Sequence, residues 1–405
     1  MENKRTKLAV LVGLTLSGSV AFGQQFEDAA SLEFGSFDVT PTLDLGLHFD
    51  DNITKTATNE IESWSRIVAP QISMVSSLGA SQVNFGYRLV DETFFSSDAD
   101  SYTDHFFLAG VDLELNARNR ISASLEFEDG HEERGSGYSI GTGTTLSSPD
   151  LYKQTELDVL YSYGAYNAEG RFDVNANIRT LDYDLDTVGY ITRDRTLSEL
   201  GGTFYYRVGA TTDMTFDASF TDVSYKVAAD ENNPLDSTDS SYLVGLQWEA
   251  TAQTSGFAKI GYQEKDFKSA QREDFSGFDW AAGVLWQPVD YASLEYTTGT
   301  DTNETNGEGN FIKEKNHTVR WRHTWLERVR SSASITWNNN EYEGQLIDGF
   351  DIRSDDNLRF NASVYYQFRR WVNFEVGYRF AERDSNRAGI DYDQNQFIIN
   401  ALITL

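Results

Sequence analysis

The segment LRFNASVYYQFRRWVNFEVGYRF, residues 358–380, decides the fold of this chain. Apolar and polar side chains alternate on both sides of a break near Arg370 and Trp371. A period of two is that of a β-strand, because successive side chains point to opposite faces of the strand. The segment therefore predicts two long antiparallel strands joined by a tight turn.

The same pattern recurs about eighteen times between about residue 36 and Leu405, in stretches of roughly 10–15 residues. The gaps between the stretches are alternately short and long. The predicted tight turns lie near 78–81, 116–119, 164–167, 208–213, 253–256, 288–291, 327–330 and 370–371. The predicted longer loops lie near 50–63, 97–102, 134–150, 183–192, 227–237, 269–273, 301–311, 344–354 and 385–393.

This rhythm predicts an all-β fold, a transmembrane antiparallel up-and-down β-barrel with apolar residues facing lipid and polar residues facing a lumen. We expect about eighteen strands, and a count of 16 to 20 would fit the same pattern because strand boundaries read from sequence shift by a few residues. An even number places both termini on the short-turn rim, which would be periplasmic. A soluble secreted β-sandwich or β-helix could also alternate, but these stretches are longer than the usual five or six residues of a strand.

The first residues carry the pattern of a secretory signal peptide. Lys4, Arg5 and Lys7 precede the apolar run 8–16, and Ala21-Phe22-Gly23 suits cleavage before Gln24. The apolar run is too short to span a bilayer as a helix. We therefore predict a signal peptide at 1–23, a short periplasmic segment at 24–35 and a barrel at 36–405, located in the outer membrane of a Gram-negative bacterium.

Composition narrows the class of function. The chain contains no cysteine, so it holds neither a disulfide framework nor a thiolate metal site. A formal net charge of −30 argues against nucleic acid as a partner. The mean hydropathy of −0.47 suits a barrel, in which only every second strand residue faces lipid.

Polar side chains of the predicted strands should line the lumen, where they form two groups of opposite charge. The predicted basic wall comprises Arg171, Arg179, Arg320, Arg322, Arg359, Arg369 and Arg379. The predicted acidic wall comprises Asp112, Glu114, Glu126, Glu128, Glu156 and Asp158. A field between such walls would orient dipolar or polyhydroxylated solutes. The alternative interpretation is that these residues form cross-strand ion pairs, or are solvated lumen side chains, without a role in selectivity.

The sequence offers no pattern of a catalytic or cofactor site. No Gly-x-Ser-x-Gly stands between a strand and a helix, and the five histidines form no recognisable relay. The acidic segment 126–133 lacks the spacing of an EF-hand calcium loop, so a solvated acidic rim is the better interpretation. We predict neither enzyme activity, nor a cofactor, nor a resident metal.

The segment GSFDVTPTLDLGLHFDDNI, residues 35–53, resembles the start of the "putative beta-barrel porin 2" family of outer-membrane barrels. The resemblance rests on Pro41, Asp51, Asn52 and Ile53, followed by Trp64 on the next strand. It implies a pore for exported polysaccharide, docked on a periplasmic export protein, since members are often encoded beside exopolysaccharide or capsule genes. The same residues also permit a structural interpretation, because Asp and Asn cap turns and Pro marks a strand edge or a bulge.

Three functions follow as hypotheses. A conduit for exopolysaccharide or capsule export would have a wide lumen with few inward loops. A general or sugar-uptake diffusion porin would have a long loop folded inward, for which 134–150 is the natural candidate. A structural or adhesive barrel would be plugged. The expected partners are outer-membrane lipids, lipopolysaccharide, the barrel assembly machinery and, for the first hypothesis, polysaccharide cargo and a periplasmic export protein.

Overall fold

A computed structural model describes residues 31–185, 188–251, 253–344 and 351–404. Long β-strands account for most of these residues, because the alternating stretches satisfy their backbone groups only by pairing with neighbours. The strands are β1 (Leu32–Phe34), β2 (Phe37–Asp50), β3 (Ser63–Leu78), β4 (Ser81–Phe94), β5 (Tyr102–Asn116), β6 (Asn119–Glu132), β7 (Asp150–Tyr163), β8 (Gly170–Tyr183), β9 (Arg195–Arg207), β10 (Thr212–Tyr225), β11 (Ser237–Thr251), β12 (Thr254–Phe267), β13 (Phe275–Val289), β14 (Ala292–Glu304), β15 (Phe311–Leu326), β16 (Val329–Glu343), β17 (Ser354–Arg369), β18 (Val372–Ser385) and β19 (Tyr392–Thr404). The described helical segments are two 3₁₀ turns, at Asp98–Asp100 and Gly137–Ser139, and one α-helical turn, α1 (Val188–Ile191).

The strands β2 to β19 form one closed barrel of eighteen antiparallel strands. Each pairs with its neighbours in the chain, and β19 returns to pair with β2 from Gln396↔Asp50 to Thr404↔Thr42. The predicted eighteen-strand barrel is confirmed. The short strand β1 was not predicted. It pairs with the beginning of β2, beyond the last rung between β2 and β19, and the chain turns between the two strands at Gly35, whose φ is +65°.

The two rims differ as the spacing of the sequence predicts. Tight connections follow β3, β5, β7, β9, β11, β13, β15 and β17, and longer loops follow the even-numbered strands from β2 to β18. Both ends of the barrel chain lie on the short-turn rim because the number of strands is even. Among the described residues, no helix is both long enough and apolar enough to cross a membrane.

Alternation along the strands separates an apolar outer face from a polar inner face. On β7, Leu157, Val159 and Tyr161 are exposed on the outside, while Glu156 and Asp158 point inward. Aromatic side chains such as Trp286, Trp325 and Trp371 are also about half exposed on the outer surface, as expected of the girdles at the two membrane interfaces.

Much of the buried apolar core lies at the long-loop end of the barrel. Tyr183, Val223, Tyr225 and Tyr342 are all at least nine-tenths buried there. A barrel wall alone would leave such inward side chains open to the lumen. Other segments must therefore cover them, and those segments define the mouth described below.

The predicted signal peptide at 1–23 and most of the predicted segment 24–35 lie outside the described residues, as does Leu405. The described part of that segment, residues 31–35, includes β1.

Candidate functional site: the lumen and its mouth

The acidic wall occupies the inner face of β5 to β7. Glu126 and Glu156 lie directly opposite each other across β6 and β7. The side-chain amide of Asn177 on β8 donates to Glu156 at 2.7 Å and to Asp158 at 2.8 Å. These amide contacts hold two carboxylates close together without neutralising their charge.

The three other acidic residues extend the same wall. Tyr152 donates to Glu128 at 2.8 Å, and Ser122 donates to Asp112. Glu114 lies two residues beyond Asp112, close to the short-turn rim, on the same face of β5. The structure thus places all six predicted acidic residues on the lumen side.

Four residues of the predicted basic wall lie on the inner face of β15 to β18. Arg171 and Arg179 lie instead on β8, beside the acidic wall, where Arg179 is opposite Glu156 on β7, so these two do not belong to the opposite wall as predicted. Strands β6 and β15 are nine positions apart in a ring of eighteen, so the two walls face each other across the lumen. The register places Arg320 and Arg379 at one level, through Ser334 and Asn361. Arg359 lies one step above this level and Arg322 one step below it, on the same inner face.

The basic residues differ in how they are paired. Arg320 donates to Glu295 at 2.9 Å, and Arg171 donates to Asp213 at 2.6 Å near the short-turn rim. No salt bridge within 4.0 Å forms in the described part of the chain at four others, Arg179, Arg322, Arg359 and Arg379. Unpaired guanidinium groups in a water-filled lumen remain available to a passing solute.

One predicted lumen residue is placed elsewhere. A bulge between Gln367 and Arg369 shifts the pairing at the end of β17, so that Arg369 lies opposite Val372 on the outer side of the sheet. Its guanidinium group stands 4.9 Å from the ring centre of Phe368, which is exposed on the lipid face. The prediction that Arg369 lines the lumen was therefore wrong, because the alternation was extended through an irregular strand end.

The loop between β6 and β7, residues 133–149, folds over the mouth of the barrel. At its base, Arg134 is buried and donates to Asp100 at 2.6 Å and to the carbonyl oxygen of Leu146 at 3.0 Å. At its tip, the Tyr138 hydroxyl donates to the carbonyl oxygen of Thr305, between β14 and β15, at 3.0 Å. These two strand pairs lie on opposite sides of the ring, so the loop 133–149 and the connection between β14 and β15 meet over the lumen.

Aromatic stacking and close backbone packing hold this loop in place. The guanidinium group of Arg193 lies 4.0 Å from the ring centre of Tyr138 and 4.4 Å from that of Tyr190. Burial raises the pKa of Tyr138, so its hydroxyl stays protonated and keeps its hydrogen bond to Thr305. A Cβ at Gly135 or Gly143 would lie 2.1 or 2.4 Å from the carbonyl oxygen of Thr54, so only glycine permits this contact between loops.

A charged pair joins two of the long loops at the mouth. Lys55 and Glu133 form a salt bridge between the first and third long loops. Burial by itself would lower the pKa of Lys55. The attraction of the Glu133 carboxylate outweighs this effect of burial, so the pKa of Lys55 lies above its usual value. Lys55 holds the pKa of Glu133 below its usual value, and Arg379 acts in the same direction. Sequence reasoning missed this pair, since neither residue stands in a motif.

Asp51 and Asn52 of the family resemblance close the seam between the first and last barrel strands. The Asp51 carboxylate accepts from the backbone and side-chain amides of Asn395 at 2.7 and 2.8 Å. Asn52 is fully buried and donates to the carbonyl oxygens of Thr56 and Asp393. Ile53 is also buried, and Pro41 lies within β2 opposite Ile72. These contacts give the motif a structural role at the long-loop rim.

The described residues show no arrangement suited to a metal or to acyl transfer. Among residues 31–185, 188–251, 253–344 and 351–404, no group of three histidine, aspartate or glutamate residues could hold a metal ion. Residues 137–141 read Gly-Tyr-Ser-Ile-Gly, but the Ser139 hydroxyl donates to the carbonyl oxygen of Ser136 at 2.7 Å and accepts from Gly135. That serine stabilises a turn.

A closed eighteen-strand barrel with a polar lumen, an apolar outer face and aromatic girdles defines an outer-membrane channel of the porin type. The chain belongs to the Putative beta-barrel porin 2 family, whose model matches residues 27–404. This confirms the family resemblance seen at residues 35–53. The family and the fold are those of channels and not of enzymes.

Three solved structures are similar to this chain at low sequence identity. OccK1 (OpdK) of Pseudomonas aeruginosa is 9% identical, with coverage of 91% of this chain and 99% of that chain and a TM-score of 0.50. OccK2 (OpdF) of the same species, solved in complex with glucuronate, is 11% identical, with coverage of 93% and 100% and a TM-score of 0.49. The FrpB iron transporter of Neisseria meningitidis is 11% identical, with a TM-score of 0.46; the match covers 86% of this chain but only 62% of FrpB. No curated protein matches the chain in sequence.

Proposed function

We propose that this protein is a diffusion channel for small polar solutes, narrowed at its mouth by the loop 133–149. The observation that carries the proposal is the hydrogen bond from Tyr138 to Thr305, which joins the loops of two strand pairs from opposite sides of the ring above the lumen. An inward loop of this kind is the feature that distinguishes a diffusion porin from a wide conduit. It limits the size of solute that can pass.

The charge of the two walls supports a preference among small solutes. Arg322, Arg359 and Arg379, which form no salt bridge in the described part of the chain, face the carboxylates of Glu126, Glu156 and Asp158 across the lumen. A transverse field orients a solute that carries a dipole or charges of both signs, and it offers hydrogen bonds to hydroxyl groups. We therefore infer that zwitterions and small sugars or sugar acids pass more readily than apolar solutes of equal size.

Polysaccharide export remains a second proposal, supported by the family to which the chain belongs. An eighteen-strand wall is wide enough to leave an aqueous channel. The narrowing arises from loops at one end, not from the wall, so a conduit would require those loops to move. Docking on a periplasmic export protein belongs to the same proposal.

Single-channel recording of the refolded mature protein in planar bilayers tests both proposals. A small conductance with saturable block by a zwitterion or monosaccharide, and none by fragments of the host's exopolysaccharide, would support the diffusion channel. A large, steady conductance blocked only by the polymer would favour the export conduit. A folded barrel without any current would contradict both proposals for the isolated protein.

A further inference from the structure

Lys265 is a fully buried cation on the inner face of β12, outside both charged walls. Its ammonium group donates to Asp239 on β11 at 2.9 Å and to Glu304 at the end of β14 at 2.7 Å. Alternation places Lys265 on the lumen side, since Ile260 and Tyr262 are exposed on the outer face. Its complete burial requires a cover that the wall itself does not provide.

The cover is the upper part of the β14–β15 hairpin. In a regular wall, β14 would lie four strand spacings, about 19 Å, from β10. Yet the Tyr225 hydroxyl at the end of β10 donates to Glu304 at 2.7 Å. The hairpin must therefore bend inward and lie across the inner face of β10 to β13. We call residues 300–315 the mouth hairpin.

Aromatic packing seals the mouth hairpin against the wall. Phe311 is 2% exposed, and its ring centre lies 4.9 Å from that of Phe275 on β13 and 6.4 Å from that of Phe267 on β12. The tip also makes polar contacts. Thr305 accepts from Tyr138, and Glu308 pairs with Arg353 and Arg387.

The bend interrupts the β13–β14 ladder. Pairing runs from Val289↔Ala292 to Ala281↔Gly299 and stops there; the described residues of 275–280 have no rung to β14. The backbone amide of Trp280 donates instead to the Thr300 hydroxyl at 3.2 Å. A Cβ at Gly299 would lie 3.1 Å from the carbonyl oxygen of Trp280, so this last rung is also a point of close approach.

The interrupted ladder could be completed without a change of register. Continuing the pairing would place Thr300 opposite Trp280, Thr302 opposite Phe278 and Glu304 opposite Ser276. Both strands would keep their alternation, because Thr302 has the same parity as the outward Tyr296 and Phe278 is outward as well. Residues 300–304 thus have two possible partners. They can pair with the free edge of β13, or they can pack on the inner face of β10 to β13, as in this structure.

We infer that the mouth hairpin is a gate with two arrangements, hinged near Gly299 and its partner Asn316. In the lumen arrangement, Lys265 holds Glu304 and the hairpin narrows the mouth. In the wall arrangement, the β13–β14 ladder is complete and the mouth is wide. Packed elements with two discrete positions are a usual basis of switching. The inference rests on the proposed channel function, and it specifies how that channel opens.

Lys265→Met tests the anchor of the gate by single-channel recording. The substitution should leave Glu304 without its cation, favour the wall arrangement and raise the mean current about twofold or more. Lys259→Met is the matched control. Lys259 is on the same strand and face and pairs with Asp217 on β10 at 2.8 Å, and among the described residues it forms no salt bridge with the mouth hairpin. A well-folded Lys265→Met channel with the same current as Lys259→Met would overturn the inference.

A disulfide lock provides a readout that does not depend on conductance, and the chain has no cysteine of its own. Residues directly opposite in an antiparallel ladder have the spacing of a disulfide. In the Phe278→Cys/Thr302→Cys variant, the bond can form only in the wall arrangement, since Phe278 points outward and the hairpin now lies inside. The control Val284→Cys/Tyr296→Cys lies on an existing rung and should oxidise without any change in current.

The expected result is slow oxidation of Phe278→Cys/Thr302→Cys, faster oxidation when Lys265→Met is added, and a raised current that falls on reduction with dithiothreitol. If the control pair oxidises and the test pair does not, in either background, the gate is excluded. If the test pair oxidises but no variant conducts, the two arrangements exist and the proposed channel function fails instead.

Discussion

At the mouth, the inner surface is a packed core, whereas the inner surface of the membrane-spanning part is lined by solvated charges. Val223 and Thr54 are fully buried at the mouth, and Phe311 is nearly so, while Asp112 and Arg179 lower down are exposed to the lumen. The wall needs only alternation and pairing to form. The mouth depends on specific contacts between segments far apart in the chain. The proposed channel would therefore select solutes by size at the mouth and by charge along the wall.

The largest expected effect is at the base of the loop 133–149. Arg134→Ala leaves the buried Asp100 carboxylate without its partner, and loss of one member of a buried pair costs about 3–5 kcal/mol. Urea unfolding of the protein in lipid vesicles should show this loss, and bilayer recording should show larger, noisier currents. The Arg134→Met/Asp100→Asn double variant removes both charges and should recover most of the stability. Unchanged currents in Arg134→Ala would refute the role of this loop in narrowing the mouth.

The seam between β2 and β19 should be the next most sensitive point. Asn52→Ala removes the donor to Thr56 and Asp393 and the acceptor for the Thr56 amide, leaving buried backbone groups unpaired at about 1–3 kcal/mol. Asn232→Ala, on an exposed loop, is the control. The free energy of unfolding should fall while the conductance stays the same. If the conductance also changed selectively, the motif would have a functional role besides its structural one.

Tyr138→Phe should have a smaller effect, confined to the mouth. It deletes one hydrogen bond to Thr305, about 0.5–1.5 kcal/mol, and keeps the ring that stacks on Arg193. More frequent opening steps should appear in single-channel traces, and Tyr138→Ala should increase them further. Equal traces for both variants would mean that the stack with Arg193 contributes nothing.

The salt bridge between Lys55 and Glu133 should contribute the same stability to the fold over a wide range of pH. Because the pKa of Glu133 is lowered from 4.5, its contribution to stability is present above pH 4.5 and is lost as the pH falls through the lowered pKa. Because the pKa of Lys55 is raised from 10.5, its contribution is present below pH 10.5 and is lost above it. Thermal unfolding across pH should show the acid-side loss in the wild type and a weaker loss in Glu133→Gln. A main loss near neutral pH would identify a different group.

The smallest effect belongs to the outer surface. Lys153 donates to Asp184 at 2.7 Å, and both side chains are more than one-third exposed. Such pairs contribute at most about 1 kcal/mol and are screened by salt. Lys153→Met should leave both the unfolding curve and the conductance almost unchanged. A large change in either property would show that charge outside the lumen also controls the mouth.

Sequence pattern predicted the wall better than the mouth. The turn near Arg370 and Trp371, the eighteen strands and the inward direction of Arg359 and Glu156 follow from a period of two, which acts residue by residue. The error at Arg369 arose where a bulge breaks that period. The segment 134–150 was predicted as the natural inward loop from its length and composition, but nothing in it indicated Thr305 as its partner.

The sequence by itself determined the barrel, its number of strands and the opposite charges of its two walls, because alternation and turn spacing are local properties of the chain. Only the tertiary structure decided which segments meet over the lumen. The pairing of Lys265 with Glu304, and of Lys55 with Glu133, joins residues 39 and 78 positions apart. Their contact depends on how the closed ring brings distant loops together and on where the ladder between β13 and β14 ends.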